Sequence, residues 1–96
     1  MDDELDVRIF ATLRLASGKA ALGYRRTGPD DSVRDVLQWL DSQLGFDVYS
    51  ELVDENGAIR PGTMLLLDGK NVHHLDGLGT PLRGARLDIF PPSGGG

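Results

Sequence analysis

Val33, Val36, Leu37, Leu40 and Leu44 recur at i, i+3, i+4, i+7 and i+11, which gathers them into one narrow apolar stripe down a helix. Ser32, followed three residues later by Asp35, reads as a capping box with Asp in place of Glu, and Gly45 stands where a left-handed C-terminal cap belongs. Elsewhere the apolar residues alternate. One amphipathic helix among strands must lie across one face of a sheet, because nothing else is available to cover that face, and the opposite face stays open. Ninety-six residues make one such domain, with no internal repeat and no βαβ pattern.

The alternation places the strands. Asp6 to Ala11 puts Val7, Ile9 and Ala11 on one side and Arg8 and Phe10 on the other. Leu13 to Lys19 reads as a loop broken by Ser17-Gly18, and Ala21 to Thr27 alternates through Leu22, Tyr24 and Arg26, so a first hairpin is expected. After the helix, beside which Trp39 should cover the core's edge, Phe46 to Val53 holds at most a short turn burying Phe46 or Leu52. Asn56-Gly57 and Pro61-Gly62 mark turns. Thr63 to Leu67 is a strand, Asp68-Gly69 a favoured hairpin turn, and Asn71 to Leu75 the returning strand. After the loop Asp76 to Pro81, the turn Arg83-Gly84 feeds a last strand, Ala85 to Phe90, with Leu87 and Ile89 facing one way and Arg86, Asp88 and Phe90 the other.

Composition removes several kinds of chemistry. There is no cysteine, so disulfides, thiolate metal sites and cysteine nucleophiles are excluded. A net charge of −5 repels polyanions, which argues against nucleic acid and anionic membrane as partners. No apolar run approaches the ~20 residues of a membrane span, and a cytoplasmic protein is expected; an Asp-heavy, Lys-poor surface also suits a high-salt cytoplasm. His73 and His74, adjacent on a strand, would point to opposite sides, the wrong geometry for a shared metal. Ser17, Ser32, Ser42, Ser50 and Ser93 all have turn or cap explanations, so no nucleophile, base and orienter come together. The expectation is a protein that enzymes act on.

Pro91-Pro92 ends the last strand, since proline has no N–H for a ladder, and Ser93-Gly94-Gly95-Gly96 adds nothing to a core. Chemistry there would be that of the Gly96 carboxylate, ionised at neutral pH and a poor acyl donor until activated, for example as an acyl-adenylate made from ATP. Glycines suit an enzyme that must close around it. They lack Cβ atoms and can thread a narrow channel, and four extended residues from Ser93 reach about 13 Å.

This element order, with Leu66-Leu67-Asp68-Gly69-Lys70-Asn71-Val72, Leu75 to Leu82, and Ile89-Phe90-Pro91-Pro92-Ser93-Gly94-Gly95-Gly96, resembles the β-grasp fold of ubiquitin-like proteins. The similarity is closer to the small subunit of molybdopterin synthase, the thiamine-pathway sulfur carrier and the small archaeal modifier proteins. It departs from them in a third glycine, which makes Gly94 a spacer, and in Arg83-Gly84-Ala85-Arg86, where relatives often carry an acidic turn. The resemblance implies an α+β domain over residues 1–92, with a mixed sheet of four or five strands and one main helix across one face, and a flexible tail over 93–96. It also implies that an ATP-dependent, ubiquitin-activating-type enzyme adenylates the Gly96 carboxylate. The product is then either a thiocarboxylate that donates sulfur, for molybdenum cofactor or tRNA thiolation, or an acyl group linked to lysines of target proteins. The chain itself is expected to bind no cofactor and to be a monomer when free. The alternatives are a dedicated molybdopterin synthase small subunit acting with the large subunit, and a β-grasp binding module with an inert tail.

Ordering four tail residues costs on the order of 4–8 kcal/mol, which a channel holding bare backbone cannot return, so the body must dock broadly on the activating enzyme. In a β-grasp sheet the first and last strands are adjacent and parallel. Phe10 and Phe90 should then share the open face, with Arg8 and Arg86 beside them, as the docking surface. Lys70, next to its turn, is the candidate acceptor lysine.

Overall fold

The computed structural model describes residues 3–92, and the tail glycines Gly94, Gly95 and Gly96 lie outside them. The helix is where its stripe requires it: α2, Val33–Leu44, buries Val33, Val36, Leu37 and Leu40 completely, while Leu44 is half-buried at the C-terminal end. The Asp35 carboxylate accepts from Ser32 N at 2.8 Å, closing the capping box, and Gly45 at φ 82 donates its N–H to Asp41 O. Across from this stripe lie β1 (Glu4–Ile9), β2 (Ala21–Arg25), β3 (Met64–Leu67), β4 (Lys70–Asn71) and β5 (Arg86–Phe90). They form one sheet in the order β2-β1-β5-β3-β4. β1 and β5 run parallel at its centre, and the other pairs are antiparallel. Leu5, Val7, Ile9, Leu65, Leu87 and Ile89 point from the sheet into α2, and each such side chain stabilises the fold by roughly 1.5–3 kcal/mol relative to exposure. This is the ubiquitin-like β-grasp architecture.

Three local expectations change. Most of the stretch Leu13 to Lys19, expected as a loop, belongs to a helix, α1, Ala11–Ser17, so β1 and β2 pair antiparallel as the expected hairpin does but are joined through a helix. β1 stops at Ile9 because Ala11 takes φ 54, a left-handed turn that lifts the chain off the sheet, and Ala11 is exposed instead of sharing the buried face of Val7 and Ile9. The helix closes one side of the core with Leu13, and Ser17-Gly18, read as a loop breaker, is its cap: Ser17 Oγ donates to Leu13 O at 2.7 Å and Gly18 sits at φ 73. The short turn expected after α2 is there as the one-turn helix α3, Tyr49–Leu52, and it buries Leu52 as expected. The Asp41 carboxylate fixes its start by accepting from Val48 N and Tyr49 N.

The third change comes after the Asp68-Gly69 turn. Both residues are left-handed there, as a two-residue hairpin demands, yet β4 is only Lys70–Asn71. The Asn71 side chain accepts from His73 N at 2.9 Å and turns the chain into a 3₁₀ segment, Val72–His74, where a strand was expected. His73 and His74 are consequently both exposed on that turn, not on opposite faces of a sheet.

The entry to β5 is held from two sides. Asp68 accepts from Ala85 N and Arg86 N, each at 3.0 Å, and Arg26 donates to Leu82 O and Gly84 O. A Cβ built on Gly84 would overlap the Asp68 carboxylate, with Cγ at 2.9 Å. Gly84→Ala is expected to dislodge that carboxylate from both amides and lower stability by about 1–3 kcal/mol, read as a fall in the urea midpoint at unchanged slope.

At the same end of β2, Tyr24 packs edge-on against Trp39 with centroids 5.2 Å apart, and its hydroxyl donates to Asp31 Oδ2 at 3.0 Å. Burial, the bond to Asp31 and the carboxylate's charge push the phenol up from 10.0 to about 12. Asp31 is held below its ordinary value, chiefly by the Thr27 hydroxyl and then by the Thr27 N–H. Since the folded tyrosine is the weaker acid, its contribution is complete below pH 10 and is lost as pH rises from 10 to about 12. That loss is expected to be about 1–3 kcal/mol, and urea unfolding across this range should lose most of its pH dependence in Tyr24→Phe.

Candidate functional site

The open face of the sheet is assembled by register. Parallel pairing sets Asp6 against Arg86 and Arg8 against Asp88, and Phe10 N donates to Ile89 O at 3.2 Å one step further on. The next residues on that face are Phe10 and Phe90, whose rings stack with centroids 4.4 Å apart and planes inclined by 10°. Phe10 holds extended backbone, φ −133 and ψ 168, before the left-handed turn at Ala11, so the ring stays on the face while the chain leaves it.

β3 completes the row. Antiparallel pairing puts Met64 beside Phe90 and Leu66 beside Asp88, so Phe10, Phe90 and Met64 form an apolar band across three strands. Met64 is 39% exposed, and Leu66, Phe10 and Phe90 are half-buried. Met64 and Leu66 escape a reading by alternation because β3, Met-Leu-Leu-Leu, is apolar on both sides. The apolar outward side of a strand whose inner side is already apolar was the available signal.

The charged half of the face is neutralised within itself. Arg8 holds Asp6 through Nε at 2.9 Å, and Arg86 Nε holds Asp88 at 2.7 Å. With opposite charges also paired across the strands, Asp6, Arg8, Arg86 and Asp88 alternate in sign like a checkerboard. Arg8 is held above its ordinary value, first by the hydrogen bond to Asp6, then by that carboxylate's charge, with Asp88 a smaller contributor. The arginines therefore frame the aromatic pair without leaving uncompensated positive charge, and complementarity here rests on shape and apolar contact.

Lys70 is exposed but stands at the opposite end of the sheet from Phe90, paired with Leu67, which is itself opposite Leu87. The other lysine, Lys19, donates to Gln43 O at 3.3 Å. The hydroxyls of Ser17, Ser42 and Ser50 are occupied by Leu13 O, Trp39 O and Asp47. Among the described residues no group of three His, Asp or Glu side chains could hold a metal, and no helix is long and apolar enough to cross a membrane.

Against known proteins, the model of the ThiS family matches residues 7–96. The chain belongs to the ThiS family. Small archaeal modifier protein 3 of Haloferax volcanii is 37% identical to this family member over 94 residues, covering 97% of this chain and 99% of that one. The solution structure of the Haloferax volcanii HVO 2177 protein is similar at 34% identity and TM-score 0.77, over 97% of this chain and 86% of that one. Small archaeal modifier protein 1 of Methanosarcina acetivorans superimposes with TM-score 0.73 at 30% identity, over 100% and 99% of the two chains. The ThiS-family match runs through Gly94, Gly95 and Gly96.

Proposed function

We propose that this protein is a ubiquitin-like modifier or sulfur carrier whose Gly96 carboxyl is activated by an ATP-dependent enzyme of the ubiquitin-activating type. The carboxylate attacks the α-phosphorus of ATP, pyrophosphate leaves, and an acyl-adenylate forms. A sulfur nucleophile or a lysine amine then displaces AMP. The observation that carries this reading is the family match through residue 96, in a chain whose relatives are small archaeal modifier proteins. The apolar band at the end of β5 supports it, because it offers a docking surface at the root of the tail.

Gly96 is the reacting residue in this reading, Gly94 and Gly95 are the thread, and Phe10, Phe90 and Met64 are the contact surface, with Arg8 and Arg86 holding its charged border. Mass spectrometry of the protein isolated from cells tests the outcome. Gly96 in isopeptide linkage to lysines of other proteins identifies a modifier, and a terminal oxygen replaced by sulfur identifies a carrier. Only unmodified Gly96, in cells grown under every condition that induces the protein, would contradict both.

A further inference from the structure

A cleft of about 630 Å³ opens beside the Asp68-Gly69 turn and the 3₁₀ segment that follows β4. Lys70, His74, Leu75, Asp76 and Arg83, all exposed, line it. Its walls are fixed by the fold. Leu75 N donates to Val72 O and Asp76 N to Thr80 Oγ1, each at 3.0 Å, and the buried Thr80 is tied to α2 through Val33 N, which donates to its carbonyl at 3.0 Å. Leu75 is therefore held 43% exposed in a braced loop. Of the other exposed large apolar side chains, Met64 belongs to the aromatic band and Leu15 stands on α1.

The cleft also holds cations with nothing to hold. The side chains of Lys70 and Arg83 make no ion pair or hydrogen bond among the described residues, whereas Arg8 and Arg86 hold carboxylates and Arg26, Arg60 and Lys19 donate to carbonyls. The Asp68 carboxylate at the cleft's edge is taken by the amides of Ala85 and Arg86. Two unpaired cations and an imidazole thus stand with one unpaired carboxylate, Asp76, in a chain whose net charge is −5.

We infer that this cleft is a second docking surface, for an acidic segment of a partner protein that carries a leucine or similar aliphatic side chain. The aliphatic group covers Leu75, and the carboxylates on either side of it meet Lys70 and Arg83. Anionic charge is the complement of the unpaired cations, and an anion alone would leave Leu75 exposed. The surface does not depend on Gly96. Lys70 pairs with Leu67, and Leu67 with Leu87, three residues before Phe90, so the segment can be held while the aromatic band is engaged.

The probe is a synthetic nonapeptide with a central leucine between runs of Asp and Glu, titrated into the isotope-labelled full chain and followed through backbone amide shifts. A peptide with Lys at every acidic position is the control. The expected result is saturable shifts centred on Lys70, His74 to Asp76 and Arg83, and none with the lysine peptide. Leu75→Ala should weaken binding about 3- to 10-fold and Arg83→Glu about 2- to 30-fold, while Asp76→Asn should strengthen it about 1.5- to 5-fold by removing the unpaired carboxylate. Raising salt from about 0.1 M to about 1 M should weaken binding without abolishing it, because the leucine contact is not screened.

The chain supplies its own controls. Arg34, exposed and likewise unpaired on α2, and Leu15 lie outside the cleft, so Arg34→Glu and Leu15→Ala should leave the affinity unchanged. Shifts that map instead to the Phe10, Phe90 and Met64 band, equal binding of the two peptides, no saturable binding, or weaker binding by Asp76→Asn would each overturn the inference. None of these results would touch the proposed activation of Gly96.

Discussion

Phe10→Asp should lower kcat/KM for adenylation by about 30- to 1,000-fold while the protein stays folded. The stacked Phe10–Phe90 pair is the centre of the proposed contact surface, where truncation of an aromatic typically costs about 2–4 kcal/mol of binding. A carboxylate there would also be desolvated against Met64 and the other ring without a cation, since the nearby guanidiniums are already engaged by Asp6 and Asp88. The folding cost should be near 1 kcal/mol, roughly the worth of the ring pair, because neither ring belongs to the core under α2. Arg86→Glu is a milder change. It replaces a compensated ion pair with two neighbouring carboxylates, so its effect should be smaller than that of Phe10→Asp and should shrink with added salt. If Phe10→Asp, still folded, were adenylated at the parent's rate, the open face would not be the docking surface.

Leu13→Ala and Leu15→Ala form the second contrast. Two residues apart on α1, Leu13 is 1% exposed and Leu15 is 83% exposed. Removing a fully buried leucine side chain costs about 2–5 kcal/mol, a large part of the roughly 5–15 kcal/mol that holds a domain of this size. The exposed one should cost within about 0.5 kcal/mol. Urea unfolding of both separates a packed helix from a loop, in which the two leucines would behave alike. A drop below about 1 kcal/mol for Leu13→Ala would mean that α1 does not close the core.

α1 is also where the sequence was hardest to read. Its seven residues present a single buried side chain, Phe10 at the N-cap makes no side-chain bond, and the closing Ser17-Gly18 has the composition of a loop breaker. Nothing in such a window has a period. α2 was legible for the opposite reason: twelve residues, four of them buried on one stripe, and cap residues whose hydrogen bonds are local. The same distinction runs through the candidate site. Phe10 and Phe90 were placed on the open face because β1 and β5 each alternate cleanly, and parallel pairing brings the two rings together. Met64 and Leu66 were not, because both sides of β3 are apolar, and which side faces α2 is decided by its pairing with β5. The early end of β4 rests on one Asn71 side chain accepting from His73 N, a bond that competes with the ladder and leaves no mark on hydrophobic patterning. The internal pairing of Arg8 with Asp6 and of Arg86 with Asp88 lies at i, i+2 along each strand, on one face, so the spacing was visible even though its consequence for partner recognition was not.

In the proposed function, the folded body carries a Gly96 carboxylate to another protein's ATP site. Pyrophosphate exchange with a ubiquitin-activating-type enzyme from the same cells tests this most directly, comparing the intact chain with one lacking Gly95-Gly96. The intact chain should drive exchange and the shortened one, with the same docking face, should bind and give none. Exchange that persists without those glycines, or that never appears with them, would contradict the account.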